Sequence, residues 1–338
     1  MVKIKSDLIS IIMPVKNAGK FLHECLQSIK DQTEANWELI AVNDHSTDDS
    51  KYILQHFAQN DARIKVLENK GSGIISALQT GYQAANGNFI HRMDADDVMP
   101  IIKLKVLKQL LLENGKGNLI TGKVSYFADE QLSEGFMNYE TWLNELCESN
   151  SHWNEIYKEC VIPSPCWMIY REDFERCGGF NGDTYPEDYD LVFRFYQSNY
   201  KVIASKDTLH LWRDHGARAS RTLQQYQENG FFKLKVKYFK DLDYDKNRPL
   251  ILWGAGKKGK TVAKLLQEEQ LPFEWVSNNP NKHGKEIYNQ LMASFKSILK
   301  KDNPQVLINV AQKKAKEEII GFLTNLNLTE AKDYWFFS

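Results

Sequence analysis

Apolar runs and amphipathic stretches alternate through the first hundred residues. Leu8 to Met13 is a mostly apolar run stopped by Pro14, the pattern of a buried strand. Phe21, Leu22, Cys25, Leu26 and Ile29 recur at helical spacing between Lys20 and Lys30. Trp37 to Val42 predicts a second strand. Asp48 to Gln59 predicts a second helix, with its cap within Ser46-Thr47-Asp48. Ile64 to Leu67, Gly73 to Ala85 and Asn88 to Met93 predict a third strand, a third helix and a fourth strand. Strand–helix alternation with short links is the mark of an α/β fold with a parallel sheet. In such a sheet ligands gather beyond the carboxyl ends of the strands. Three of those ends are Pro14-Val15-Lys16-Asn17, Asn43-Asp44-His45-Ser46 and Asp94-Ala95-Asp96-Asp97, all polar where the strands are apolar, so they should share one rim.

The pattern then loosens. Residues 101–220 are irregular and rich in aromatics, among them Trp142, Trp153, Trp167 and Trp212; they read as the second half of the sheet with loops facing an acceptor. Residues 221–245 are helical in character and carry Lys233, Lys235, Lys237 and Lys240, which read as a solvated face, with a basic face for anionic lipid as the alternative. Asp241 to Pro249 is a polar linker. A new α/β unit opens at Leu250-Ile251-Leu252-Trp253, followed by Gly254-Ala255-Gly256-Lys257-Lys258-Gly259 and an amphipathic helix through Glu268. Phe273 to Val276 and Gln305 to Val310 are its further strands. The expected organisation is a first domain over residues 1–220, a helical and polar linker over 221–247, and a small Rossmann-like α/β domain over 248–338.

A chain of 338 residues is long enough for two domains, and 42% hydrophobic with 26% charged residues describes an ordinary globular protein. The formal net charge of −1 gives no reason to expect bulk nucleic-acid binding. The cysteines Cys25, Cys147, Cys160, Cys166 and Cys177 are odd in number and lack CxxC spacing, which fits reduced thiols in a cytoplasmic setting. Charges at Lys3, Lys5 and Asp7 argue against a signal peptide, and no run reaches the roughly 18 apolar residues of a membrane span. Peripheral membrane association stays open, as does oligomeric state.

The run Met93-Asp94-Ala95-Asp96-Asp97 places three carboxylates at a strand end. Crowded carboxylates repel unless a cation sits among them, and a divalent metal carrying a substrate phosphate is the simplest remedy. A charged turn with Asp97 as a helix cap is the plainer alternative; the convergence of three polar strand ends favours the metal. Asp44 can accept hydrogen bonds from a nucleobase imide or a ribose hydroxyl, since Ser46, Thr47 and Asp48 suffice for capping. Asn69-Lys70-Gly71-Ser72-Gly73 leads into a helix, so Lys70 and the Gly73 backbone are candidates for phosphate contact. Arg92 can pair with a diphosphate or with Asp44. Tyr185-Pro186-Glu187-Asp188-Tyr189-Asp190 has more acids than a helix start requires, and a carboxylate there can act as general base toward a hydroxyl. Trp212-Arg213-Asp214-His215 offers an imidazole for a manganese-type metal and an arginine for phosphate.

Four of these motifs, Ser10 to Asn17, Val42 to Asp48, Met93 to Asp97 and Pro186-Glu187-Asp188, resemble family 2 glycosyltransferases of the GT-A fold, in the family's order and over roughly residues 8–220. The resemblance implies a mixed, mainly parallel sheet and an inverting transferase. It would move a sugar from a nucleotide-diphosphate sugar, UDP-linked by the usual pattern, to a hydroxyl of a glycan or lipid-linked acceptor, with Mn2+ or Mg2+. It implies that Pro14, Val15, Asn17 and Asp44 line the nucleotide side, with Asp44 on the base. Asp94 would lie near the ribose, and Asp96 would hold the metal that bridges the diphosphate. Asp97 would support the metal shell, and His215 sits where some members place a further ligand. Asp188 would be the general base with Glu187 beside it. Lys16 departs from the family, in which many members carry an aromatic residue there. Polysaccharide biosynthesis at the inner face of the membrane is the setting implied. A sugar nucleotidyltransferase would also want a sheet and metal, but needs a Gly-rich basic loop after the first strand, and Pro14 to Gly19 lacks that character. A non-catalytic nucleotide-sugar-binding protein is disfavoured because every expected carboxylate is present. The Gly254–Gly259 turn resembles a dinucleotide-binding turn, yet Val276-Ser277-Asn278-Asn279 has no acid for a ribose. NAD is therefore not expected, and a packing, acceptor-binding or nucleotide-binding module is.

Overall fold

The computed structural model describes residues 4–128, 132–216, 218 and 228–338. The chain forms two compact units, one of Met1–His152 with Val161–Thr222 and one of Trp153–Cys160 with Leu223–Ser338. In the first unit, β1 (Lys5–Val15), α1 (Gly19–Lys30), β2 (Trp37–Asn43), α2 (Ser50–Asn60), β3 (Ile64–Glu68), α3 (Ile74–Gln83) and β4 (Gly87–Arg92) realise the expected alternation. There follow α4 (Lys103–Asn114), β5 (Asn118–Phe127), α5 (Glu134–Ser149), β6 (Trp167–Tyr170), α6 (Arg171–Arg176), α7 (Glu187–Gln197) and β7 (Lys201–Arg213). The strands form one sheet in the order β3-β2-β1-β4-β6-β5-β7.

Strands β3, β2, β1 and β4 are parallel, so their carboxyl ends lie on one edge. Ile12 is level with Ile40 on one side and Arg92 on the other. The chain turns from β1 to β2 on one side and reaches β4 on the other, which opens a crevice at the β1/β4 boundary. The core strands are apolar on both faces because helices cover both: Ile9, Ile11, Ile12, Leu39, Ile40 and Ile90 are fully enclosed.

The stretch read as irregular is more ordered than its sequence suggests. Strands β5 and β7 pair in parallel from Asn118/Lys201 to Phe127/Arg213, with irregularity at Gly122–Val124. Between β4 and β5 lies β6, antiparallel to both, which makes the sheet mixed. The helix read from Asp48 begins at Ser50 instead. The Asp48 carboxylate accepts from the Ser50 N–H at 3.0 Å and from the Gly19 N–H at 2.9 Å, so one residue restrains the starts of two helices.

In the second unit α8 (Glu228–Leu242) precedes β8 (Leu250–Trp253), α9 (Lys257–Glu268), β9 (Glu274–Ser277), β10 (Glu286–Ile287), β11 (Gln290–Ser294), β12 (Gln305–Ile308), α10 (Lys313–Thr324) and β13 (Tyr334–Phe336). Its sheet runs β10-β11-β9-β8-β12-β13, antiparallel only at β10/β11. The helix read within 221–245 is seen as α8, and its expected part over 221–227 lies outside the described residues. This helix belongs to the second unit, as do residues 153–160. Its lysines are not one solvated face. Lys233, Lys237 and Lys240 are exposed, but Lys235 is buried and donates to the Lys158 carbonyl at 2.7 Å. All five cysteines are free and buried.

Gly87 opens β4 directly against β1, and its N–H donates to Ser10 Oγ at 2.8 Å. A Cβ there would stand 2.4 Å from the Leu8 carbonyl oxygen and 2.7 Å from the Ser10 nitrogen, both backbone atoms that cannot step aside. Gly87→Ala should therefore cost about 2–3 kcal/mol by urea denaturation, because overpacking here forces β1 and β4 apart.

Candidate active site

Aromatic packing seats the helix that carries Asp188. Phe195 on α7 meets the Trp167 ring on β6 edge-on at 5.7 Å, and Trp167 stacks on Phe174 at 5.7 Å. Phe174 in turn meets Phe180 at 4.8 Å. This cluster packs the carboxyl half of α7 against β6, while the amino end of the helix meets the carboxyl end of β4 at Arg92. The Arg92 guanidinium is buried and donates through Nε to Asp94 Oδ1 at 3.1 Å and through one terminal nitrogen to Glu187 Oε1 at 3.2 Å. One cation thus ties the acidic strand end to the helix of the expected base.

Asp188 is half-buried, and its Oδ1 accepts from the Tyr189 N–H at 2.8 Å. Burial, and then the adjacent Glu187 carboxylate, push its pKa up to about 7, with Arg92 drawing it part of the way back. A carboxylate poised there can be deprotonated at neutral pH and still accept a proton readily.

Across the crevice, Asp96 Oδ2 and His215 Nε2 are 2.9 Å apart. Burial raises the Asp96 pKa, but the His215 hydrogen bond and the Arg218 charge outweigh it and hold the carboxyl below its usual range. His215 rests on the Phe21 ring, centroids 4.5 Å apart. A carboxylate oxygen and an imidazole nitrogen suit a manganese-type ion. Among the described residues no group of three or more His, Cys, Asp or Glu converges as a metal cage. Two protein donors, with a substrate diphosphate and water completing the shell, are the usual supply for such an ion, so the residues fit one.

Asp97 serves differently from its neighbours. It is buried, with Oδ1 accepting from the Arg213 N–H at 2.9 Å and Oδ2 standing 3.0 Å from His210 Nε2. His210 Nδ1 is 3.0 Å from the Lys103 ammonium, which also donates to the Pro165 carbonyl at 2.6 Å. Burial keeps His210 well below the usual imidazole range and therefore neutral, so it links an ammonium to a carboxylate. Asp97 thus braces β7 and α4 below the rim. Arg213 is held in the same brace, its Nε donating to the Asp96 carbonyl at 2.9 Å, its guanidinium also bonded to Glu24 and stacked over Phe127 at 4.4 Å. The guanidinium that the sequence offers for phosphate is thus already engaged.

On the side expected to meet a nucleotide, the three strand ends share one rim. The Asp44 N–H donates to the Val15 carbonyl at 2.7 Å, and Met93 N–H to the Ile12 carbonyl at 3.1 Å. Pro14 lies opposite Val42, and Val15 opposite Asn43. Asn17, at φ +50°, accepts from the Thr47 N–H at 2.8 Å and donates its own to Ser46 Oγ at 3.0 Å. Asp44 is buried and is not spare. It accepts from Asn69 Nδ2 at 2.6 Å, from the Gly73 N–H at 3.0 Å and from the Lys16 ammonium at 3.2 Å. Two expected phosphate contacts are redirected: the Gly73 N–H is taken by Asp44, and the Lys70 ammonium lies 3.2 Å from Gln83 Oε1 on α3. Gly73 sits at φ +85°, where glycine is favoured, and that turn is what aims its N–H at Asp44.

Residues 10–178, half of the chain, match the family described as Glycosyl transferase family 2. The chain belongs to glycosyltransferase family 2. It is 30% identical over 226 residues to glycosyltransferase GlyG of Streptococcus pneumoniae, covering 64% of this chain and 74% of that protein. It is 37% identical over 108 residues to the UDP-Glc:alpha-D-GlcNAc-diphosphoundecaprenol beta-1,3-glucosyltransferase WfgD of Escherichia coli, covering 32% of this chain and 42% of that one. Among solved structures, mannosyltransferase PcManGT of Pyrobaculum calidifontis, in complex with GDP-Man and Mn2+, aligns over 78% of this chain and 69% of its own with a TM-score of 0.52 at 17% identity. That likeness gives the glycosyltransferase the GT-A fold.

Several residues of this glycosyltransferase site carried no sequence signal. Asn69, Ser164, His210 and Lys103 act through bonds to partners between 25 and 113 positions away. Arg218 was also missed: its guanidinium lies over the Trp212 ring at 5.2 Å, and its charge acts on Asp96 and Asp97. The basic residues spaced along the sequence after Arg213, at His215, Arg218 and Arg221, were the available clue.

Were Asp188 the general base, transfer by the glycosyltransferase should rise about tenfold per pH unit below a midpoint near 7 and level off above it, since only the ionised carboxylate can accept a proton. Arg92→Met should move that midpoint upward, measured as the pH profile of kcat/KM. The raised pKa also means that ionised Asp188 opposes folding, an effect that sets in above the ordinary carboxylate pKa and is complete above pH 7. Asp188→Asn should therefore add roughly 1–3 kcal/mol of stability at pH 8, and less at pH 5, and would abolish transfer were Asp188 the base.

Proposed function

We propose that the chain is an inverting, metal-dependent transferase. It would move a sugar from a UDP-linked donor to a hydroxyl of a glycan or lipid-linked acceptor, with Asp188 as general base. The observation that carries this reading is the Arg92 bridge, which sets a carboxylate with a pKa of about 7 beside the acidic strand end. The acceptor O–H would give its proton to Asp188 as its oxygen bonds to the anomeric carbon. The bond to the diphosphate breaks from the opposite face, and the bonding pair leaves with the nucleotide. One base and one displacement invert the anomeric configuration.

The leaving diphosphate needs positive charge. Asp96 and His215 would hold a divalent ion, which acts as a Lewis acid on the phosphoryl oxygens. The Arg218 charge acts on Asp96 and Asp97, near enough to share in that role. Asp94, fixed by Arg92 and lying 3.4 Å from Ser164 Oγ, would face the ribose. A carboxylate has about four acceptor positions, so Asp44 can retain its three bonds and still meet a uracil imide N–H. A UDP donor and a lipid-linked acceptor are supported by the name of WfgD, and a divalent metal by the Mn2+ of PcManGT. No helix among the described residues is long and apolar enough to cross a membrane. A lipid-linked acceptor would bring the enzyme to the cytoplasmic face of one, in polysaccharide assembly.

With a cognate nucleotide sugar, EDTA should abolish transfer and Mn2+ or Mg2+ should restore it. Asp96→Ala should lower kcat at least a hundredfold with metal present, in line with the loss of about 3 kcal/mol of transition-state stabilisation. NMR of the product should show an inverted anomeric centre. Full activity in EDTA, or wild-type turnover by Asp96→Ala, would overturn the reading.

A further inference from the structure

The parallel strands of the second unit run β11-β9-β8-β12-β13, so the chain winds away in opposite directions from the boundary between β8 and β12. The crevice beyond the carboxyl ends of those two strands is where a doubly wound sheet receives a ligand. Gly254 directly follows β8 there at φ +128°, and Gly256 precedes the first residue of α9 with no side-chain cap on the helix. The turn is packed to its limit. A Cβ on Gly254 would stand 2.4 Å from the Asn309 carbonyl oxygen, and one on Gly259 would stand 2.2 Å from the Gly254 carbonyl oxygen. The glycines draw the start of a 12-residue helix against the crevice, with its first N–H groups lacking partners within the helix.

A second, independent observation points to a ligand. Asn309 follows β12 on the other side of the same boundary and is 6% exposed. Neither its Oδ1 nor its Nδ2 has a hydrogen-bond partner. Its Cβ lies 3.7 Å from the position a Gly259 Cβ would take, so the orphaned amide abuts the turn. Buried amides are almost always satisfied. This one has both a donor and an acceptor to offer.

Lysines gather at the same end. Lys258 is exposed in the first turn of α9. Lys282 donates to the Ala255 carbonyl within the turn at 2.7 Å. Lys235 and Lys316 are each lowered to about 8, first by burial and then in part by the charge of Lys258, so these ammoniums oppose one another. Glu155 is engaged by Lys158. At the end of β9, where a dinucleotide fold keeps an acid for the ribose, stand Ser277 and Asn278. The Asn278 side chain is taken by the Trp253 indole N–H. The anionic part of a ligand has partners here; a ribose diol lacks its usual one.

We propose that the second unit binds a phosphorylated ligand, whose phosphate or diphosphate rests on the amino end of α9 between the Gly254–Gly256 turn and the Asn309 amide, beside Lys258. The site is separate from the transferase site and does not need its metal.

The test is calorimetry on the full chain in EDTA, with pyrophosphate and UDP as probes. Binding by either is expected. Lys258→Glu, a change at an exposed position, should weaken it at least tenfold. Asn309→Ala should weaken it without lowering the melting temperature of the ligand-free chain. Asp96→Ala should leave it intact, so a failure of the transferase reading and a failure here are distinguishable. Equal affinity for both probes would mean that the phosphates alone are recognised; preference for UDP would add the nucleoside, and either result supports the site. Failure of both probes to bind at millimolar concentration, or binding indifferent to Lys258→Glu, overturns it.

Discussion

A buried guanidinium, that of Arg92, governs the first unit's chemistry. Three carboxylates at one strand end and two more at a helix start would repel each other in a low-dielectric crevice. Arg92 neutralises part of that charge and, through Asp94 and Glu187, fixes the distance between strand and helix. Breaking a buried pair of this kind commonly costs 3–5 kcal/mol, because the remaining charges stay desolvated. The planar fork of an arginine can hold two carboxylates at set angles, which a lysine ammonium cannot do as well. The electrostatic tuning of Asp188 depends on the same group.

Much of this was legible in the chain. The alternation of apolar runs and amphipathic stretches located β1 to β4 within a residue or two at most ends, because strands enclosed on both faces leave continuous apolar signals. The rim was legible too, since polar residues that follow buried strands have little reason to cluster unless they serve a site. What escaped was the wiring beneath it. Asp97 is expected from the sequence to support the metal shell beside Asp96, yet Asp96 faces His215 at the crevice and Asp97 braces His210 in the core. They are neighbours in the sequence, and it is the return of β7 that brings His215 to one and His210 to the other. Asp44 looked spare for a similar reason: the Gly73 turn that occupies it forms only when α3 is in place. Lys235 was read as one of four solvated lysines because helical spacing identifies a face but not what covers it.

The two units solve one problem twice. In each, parallel strands diverge at an internal boundary and leave a crevice that polar groups line. In the first unit acids line it, so cations are required to make an anionic substrate welcome. In the second, glycines and lysines line it, and backbone N–H groups can meet an anion directly. Charge of opposite sign thus marks the two crevices, although the chain's formal net charge is only −1.

The cysteines carry a practical consequence. Cys25 lies beneath the acidic strand end, 3.5 Å from the Asp94 carbonyl, and burial together with the charges of Asp97, Asp96 and Asp94 drives its thiol pKa well up. Such a thiol is inert until the sheet around it opens. Cys25, Cys147, Cys166 and Cys177 belong to one unit and Cys160 to the other, all reduced and enclosed. The protein therefore carries its own set of clocks: the rate at which each sulfur becomes alkylated times the breathing of the particular region that shelters it, with no label introduced.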